Sequence, residues 1–237
     1  MSEILNQATS EIQHWNTIRN NSLVTIPIFN NGSYFKLTPN AYFTWKNILG
    51  SSGLASEDQS IHAYFSVSEA SASGTLSLFG VDNYTDSLPV SEYESNYNAS
   101  LQSIAYEPAT LSNVYFNEEL FNIQGIDPLT ALQQTTQWTL HKDMWLGNQT
   151  DMAQVLVIPF SDIQTLFEAT SPDFLVLQPA FSLLDNQGIY QLQIDLIIWS
   201  YSSAYGIVGK YPEDLIQPVP PYSAYPASAF QLLQYAL

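Results

Sequence analysis

The stretches ATSEIQHWNTI (8–18) and ALQQTTQWTLH (131–141) decide how this chain is read. Each has a central tryptophan, Trp15 and Trp138, and Ala8 and Ala131 stand in register with them at an offset of 123. Two further matches keep the same order. LTPNAYFTWKNIL (37–49) falls against VIPFSDIQTLFEA (157–169), with Pro39 over Pro159 at an offset of 120. HAYFSVSE (62–69) falls against QPAFSLLD (178–185), with Phe65–Ser66 over Phe181–Ser182 at 116. The offset drifts in one direction, as short insertions and deletions make it drift. A repeat of this period implies two similar half-domains, each with its own small core, and not a short-period solenoid.

Outward from these stretches, local signals divide the chain into elements. Ile4, Ala8, Ile12, Trp15 and Ile18 follow the spacing of one buried helical face, and Ser2 with Glu3 suits a helix start. SLVTIPIF (22–29) and SYFKL (33–37) read as strands across an Asn-Asn-Gly turn at 30–32. Pro39 opens a short helix that Gly50 closes. IHAYFSVS (61–68) and GTLSLFGV (74–81) read as a hairpin across EASAS. Asp127–Pro128 caps and starts a second long helix that runs to about Trp145. AQVLVIPF then reads as a strand and SDIQTLFEA as a helix that starts at Ser161 or Asp162. FLVLQPAFSLLD and GIYQLQIDLIIWSY form the clearest hairpin.

The predicted fold is therefore α+β, two tandem diverged repeats, each of a long helix, a short helix and antiparallel strands. Residues 1–82 are the first repeat and 125–204 the second. Residues 83–124 read as an irregular connecting excursion, because periodicity dissolves there. Residues 205–237 read as a Pro-rich tail ending in a short apolar docking segment, ASAFQLLQYAL.

The order "long helix with a central aromatic, hydrophobic-Pro short helix, AYF-S strand, strand ending Gly80–Val81–Asp82" resembles an uncharacterised bacterial family over residues 1–90. That resemblance implies a compact α+β unit and carries no activity. The chain departs from it by holding two copies and by losing most charged positions.

Only 11% of residues are charged, against roughly 25% in an average soluble protein. Five are basic and 22 acidic, for a net charge of −17. Arg19, Lys36, Lys46, Lys142 and Lys210 are scattered singly, so a basic footprint for nucleic acid is absent. The same repulsion disfavours anionic membranes, and no apolar run is long enough for membrane insertion. There is no cysteine, which excludes disulfides, thiol nucleophiles and Cys–zinc sites. MSEILNQATSEI lacks the pattern of a secretory signal, so the expected location is cytoplasmic or non-classically exported.

No catalytic set stands out. His14, His62 and His141 form no metal pair and read as ordinary, partly exposed histidines. DNYTD (82–86) has Tyr84 where a calcium loop needs its third ligand, so an EF-hand is rejected; a looser site on Asp82 and Asp86 is set against a plain turn with two solvated acids. No cofactor or metal is assigned. The remaining signal is tyrosine, which offers rigid amphipathic contact area. Tyr84, Tyr93, Tyr97, Tyr222, Tyr225 and Phe230 are the candidate binding residues. The leading expectation is a non-enzymatic structural or interaction protein, a homo-oligomer or a subunit of a larger assembly, with the tail docking through its apolar end. The alternatives are a carboxylate-based hydrolase using acids from 82–119 and a small-ligand or glycan-binding module using the loop aromatics.

Overall fold

The computed structural model describes residues 2–68, 74–108, 114–115, 126–186, 189–204, 206–213, 217–219 and 229–236. In chain order the elements are α1 (Glu3–Ile18), α2 (Ser22–Asn30), β1 (Tyr34–Leu37), α3 (Pro39–Ser51), a 3-10 turn (Ser56–Asp58), β2 (Ser60–Ser68) and β3 (Thr75–Asp82). There follow α4 (Asn83–Asp86), α5 (Glu94–Ser100), β4 (Gln102–Glu107), β5 (Val114–Tyr115), α6 (Pro128–Asn148), β6 (Val155–Pro159) and α7 (Phe160–Thr170). The last are β7 (Phe174–Asn186), β8 (Ile189–Ser202), β9 (Gly206–Glu213), β10 (Gln217–Val219) and α8 (Gln231–Ala236). The fold is α+β. No described helix is long and apolar enough to cross a membrane.

One sheet gathers the strands in the order β10-β6-β2-β3-β4-β1-β7-β8-β9-β5. All neighbours are antiparallel except β5 and β9. Two pairings cross between the halves of the chain. Strand β1 lies against β7, with Phe35 opposite Leu177 and Leu37 opposite Leu175. Strand β6 lies against β2, with Leu156 opposite Ala63 and Ile158 opposite Ile61.

Strand alternation sends Ile61, Ala63, Phe65 and Val67 of β2 into the main core, while Tyr64 joins a second cluster on the other face. In the main core the Trp15 ring stacks on Phe65 with centroids 5.3 Å apart, and Trp138 meets Phe181 at 5.1 Å. Each tryptophan thus packs on the hairpin of its own half. Phe29 touches both, at 6.3 Å and 5.4 Å, and Trp15 Nε1 donates to the Ala153 carbonyl at 3.0 Å. The expectation of two separate small cores is therefore corrected: both tryptophans sit in one shared cluster.

Three further expectations change. SLVTIPIF is the helix α2 and not a strand. Asn21 caps it by accepting from the Leu23 N–H, and Thr25, Ile28 and Phe29 give it a buried face at helical spacing. Tertiary burial of that face overrides the β-branched composition. Residues 83–107, expected to be irregular, hold α4, α5 and β4. Their short elements are fixed by caps and burial rather than by periodicity. Finally, Phe230, Leu232, Leu233 and Ala236 of the terminal segment are buried against Leu5, Ala8, Tyr64 and Phe79 of the same chain. The docking surface for this segment is its own fold.

Gly80 explains one feature of the Gly-Val-Asp strand end. A Cβ there would stand 2.6 Å from Trp45 Cζ2, so only glycine lets that indole lie across β3 and donate from Nε1 to the Ser100 carbonyl. Asp162 is a second pressure point. It is buried on α7, with one oxygen bonded to the Ser161 hydroxyl and the other, Oδ2, unpaired. Burial pushes its pKa above the ordinary carboxylate value, with the Ser161 bond opposing.

Trp15→Ala and Trp138→Ala are each expected to cost about 3–5 kcal/mol in chemical denaturation, through lost burial and a cavity in the shared core. Gly80→Ala should cost about 1–3 kcal/mol by overpacking against Trp45. An acid whose folded pKa is raised contributes stability at low pH that is lost as pH rises through that folded value. Asp162→Asn should therefore raise the melting temperature at pH 7 by roughly 2–4 °C, for about 1 kcal/mol gained. The gain should vanish below about pH 3, where the wild-type carboxyl is protonated in both states.

Candidate functional site

The end of β3 builds the site from its backbone outward. Asp82 leaves the strand and turns its carboxylate to the next helix, where Oδ1 accepts from the Thr85 N–H at 2.8 Å. Its Oδ2 accepts from the Ser100 hydroxyl at 2.5 Å. The single turn α4 then carries Asp86 inward, where it is 0% exposed.

Every group facing Asp86 is a donor. His62 Nδ1 lies 2.6 Å from Oδ2, which also accepts from the Tyr64 hydroxyl. Oδ1 accepts from the Leu232 backbone N–H at 3.0 Å and from the Tyr97 hydroxyl at 3.4 Å. Burial first, and then the charge of Asp86, push the phenols of Tyr64 and Tyr97 upward, which keeps both as donors. A carboxylate only accepts, so the hydrogen of the His62 bond sits on Nδ1; in the neutral imidazole the Nε2 lone pair is then the acceptor left over.

His62 is 3% exposed and forms part of the wall of a cleft of about 350 Å³. With the Nδ1 edge taken by Asp86, the Nε2 edge is the one left for the cleft, and no described group is bonded to it. Phe230 packs on the imidazole with centroids 4.7 Å apart, and Ala229 lines the cleft beside it. Glu57 and Asp58 stand exposed on one rim, Tyr84 on another, with Leu54, Val157 and Pro159 forming apolar walls. Asn83 fastens this rim: its Nδ2 donates to the Asp58 carbonyl at 2.7 Å and its Oδ1 accepts from the Ser60 N–H at 3.2 Å.

The candidate residues from the sequence divide accordingly. Tyr84, 37% exposed, lines the cleft. Tyr97 and Phe230 are buried in its support and offer no contact surface. Tyr93 is exposed outside the cleft wall. Tyr222 and Tyr225 lie outside the described residues, as do Glu118 and Glu119. The reading of Asp82 and Asp86 as two solvated acids is corrected, since both carboxylates are buried and saturated by hydrogen bonds. Among the described residues no three His, Cys, Asp or Glu side chains converge as metal ligands. His62 was the missed residue. Its position on β2, on the same strand face as Tyr64 and 24 residues before Asp86, was the available sign.

None of the cleft hydroxyls of Ser60, Tyr84 and Ser87 is bonded to His62; Ser87 donates instead to the Tyr84 carbonyl at 2.7 Å. Among the described residues the arrangement holds an oriented imidazole at the wall of a cleft and lacks a paired nucleophile. Compared with known protein families, curated proteins and solved structures, the chain matches none.

Asp86→Ala should leave His62, Tyr64 and the Leu232 N–H without their acceptor, while the Tyr97 hydroxyl keeps the Leu88 carbonyl at 2.9 Å, and should cost about 3 kcal/mol or more. Hydrogen exchange should show the Leu232 amide losing protection well before the β2 amides. Equal protection in both regions would mean that Asp86 does not hold α8 in place.

Proposed function

We propose that this protein is a small-ligand-binding module whose site is the cleft beside His62. The observation that carries the reading is the buried His62, fixed by Asp86 at one edge and open to a cleft at the other. A cleft of about 350 Å³ lies within the usual range for small-molecule sites, roughly 300–1,000 Å³. Apolar walls with a few placed polar groups are what such sites use for affinity and orientation. Tyr84 retains the role expected of a loop aromatic.

Two copies of one unit remain our account of how the fold arose. In support, helix–strand–helix–hairpin occurs twice once α2, which has no counterpart before β6, is set aside, and each first strand pairs with the hairpin of the other half. The matching face residues are Phe35 and Leu37 in one half, Leu156 and Ile158 in the other. They favour an offset of 121 for this stretch, one more than the alignment of Pro39 on Pro159. Accordingly Pro39 is the first residue of α3, whereas Pro159 precedes α7.

Self-association is a second reading, favoured by the outer side of α6. Leu129, Leu132, Leu140 and Met144 are exposed there, the last two by 67% and 68%. The stripe is nearly palindromic about Thr136, so an antiparallel copy would set Leu132 against Leu140, as a two-fold interface requires.

Chemical-shift mapping with a panel of small organic fragments tests the first reading. Fragments should perturb the amides of Ser60, His62, Tyr84 and Ala229, and Tyr84→Ala should weaken them about two- to tenfold. Fragments that leave all four amides unmoved would overturn it. Light scattering tests the second: a dimer should form, and Leu140→Glu with Met144→Glu should reduce it to the chain mass.

A further inference from the structure

We infer that the cleft selects a small organic cation, a primary ammonium or guanidinium carried on a short apolar body. This rests on the small-ligand reading above and adds the chemical class of the ligand.

The charged groups that line the cleft are carboxylates, and its hydroxyls, Ser60 and Tyr84, accept as well as donate. His62 holds its Nδ1 hydrogen on Asp86, and in the neutral ring its Nε2 is then an acceptor. Glu57 and Asp58 add two carboxylates on the exposed rim. The cleft's amide donors are already engaged: Gln59 Nε2 donates to the Leu49 and Leu54 carbonyls, and Asn83 Nδ2 to Asp58. A cationic donor finds two carboxylates here, while an anionic acceptor meets their repulsion and is left with the hydroxyls alone.

Charge points the same way. Among the described residues no Lys or Arg lines the cleft. Arg19 is paired with Asp151 at 2.5 Å, Lys46 with Glu168 at 2.8 Å, and Lys36 lies over the Phe174 ring at 4.6 Å. With a net charge of −17 on the chain, the field reaching the cleft attracts cations and repels anions. The Tyr84 ring on the rim offers a face to a cation. Leu54, Val157, Pro159 and Ala229 supply the surface for an apolar body.

Three probes of one shape separate the possibilities: benzylammonium, benzyl alcohol and benzoate, titrated at pH 7.5 and low salt and followed by the amide shifts of Ser60, His62 and Tyr84. Benzylammonium should bind at least tenfold more tightly than benzyl alcohol, and benzoate least. Each of Glu57→Gln and Asp58→Asn, both exposed and removable without unfolding, should weaken the cation about two- to fivefold. Neither should change the affinity for benzyl alcohol. Equal affinity for alcohol and cation, or tighter binding of benzoate, overturns the cation assignment and leaves the ligand site standing. If all three probes fail while other fragments shift these amides, the assignment also falls. If nothing shifts them, the ligand reading itself falls with it.

Discussion

The exchange of first strands between the halves is the constraint on which the rest depends. Without β1, β7 would lack a neighbour on that side, and without β6, β2 would lack one too. Backbone groups in a buried strand need partners, so neither half can complete its sheet alone. The shared aromatic cluster follows. Once β6 lies on β2, the chain just before it, at Ala153, meets Trp15, and Phe29 is brought between the two long helices. The halves therefore form one body.

The cleft is a by-product of how β3 ends. Asp82 caps α4, α4 turns Asp86 beneath β2, and a buried carboxylate in that place demands donors. Strand β2 supplies two from its second face, α5 a third and α8 a fourth. Because the His62 ring is held at one edge and backed by Phe230, its other edge is preorganised without any ligand present.

The sequence discloses elements where one local signal dominates. Capping by Asp127 and the three-to-four stripe of 4–18 make α6 and α1 legible, and apolar β-type runs bounded by turn residues make the β2–β3 and β7–β8 hairpins legible. It misleads at Ser22–Asn30, where β-branched residues suggest a strand but the buried face of Thr25, Ile28 and Phe29 selects a helix. It also hides the partners of β1 and β6, since pairing across more than a hundred residues leaves no local trace. The site stayed illegible for the same reason. His62, Asp86 and Leu232 are unremarkable in their own neighbourhoods and acquire roles only where three distant segments meet.

The four donors on Asp86 also bear on the order in which the chain folds. Until residues 62, 64, 97 and 232 have all arrived, the carboxylate is either still hydrated or buried with a bond missing, at roughly 1–3 kcal/mol for each missing partner. Compact arrangements that omit α8 are thereby kept at higher free energy than the native one, and so are sparsely populated. The contact between Asp86 and Leu232 spans 146 positions, which makes it slow to form by chance encounter. A clasp of this kind ties completion of the cleft wall to the docking of the last helix. Chains in which α8 has not docked leave Tyr64 and Phe79 uncovered and the cleft without its Ala229 wall.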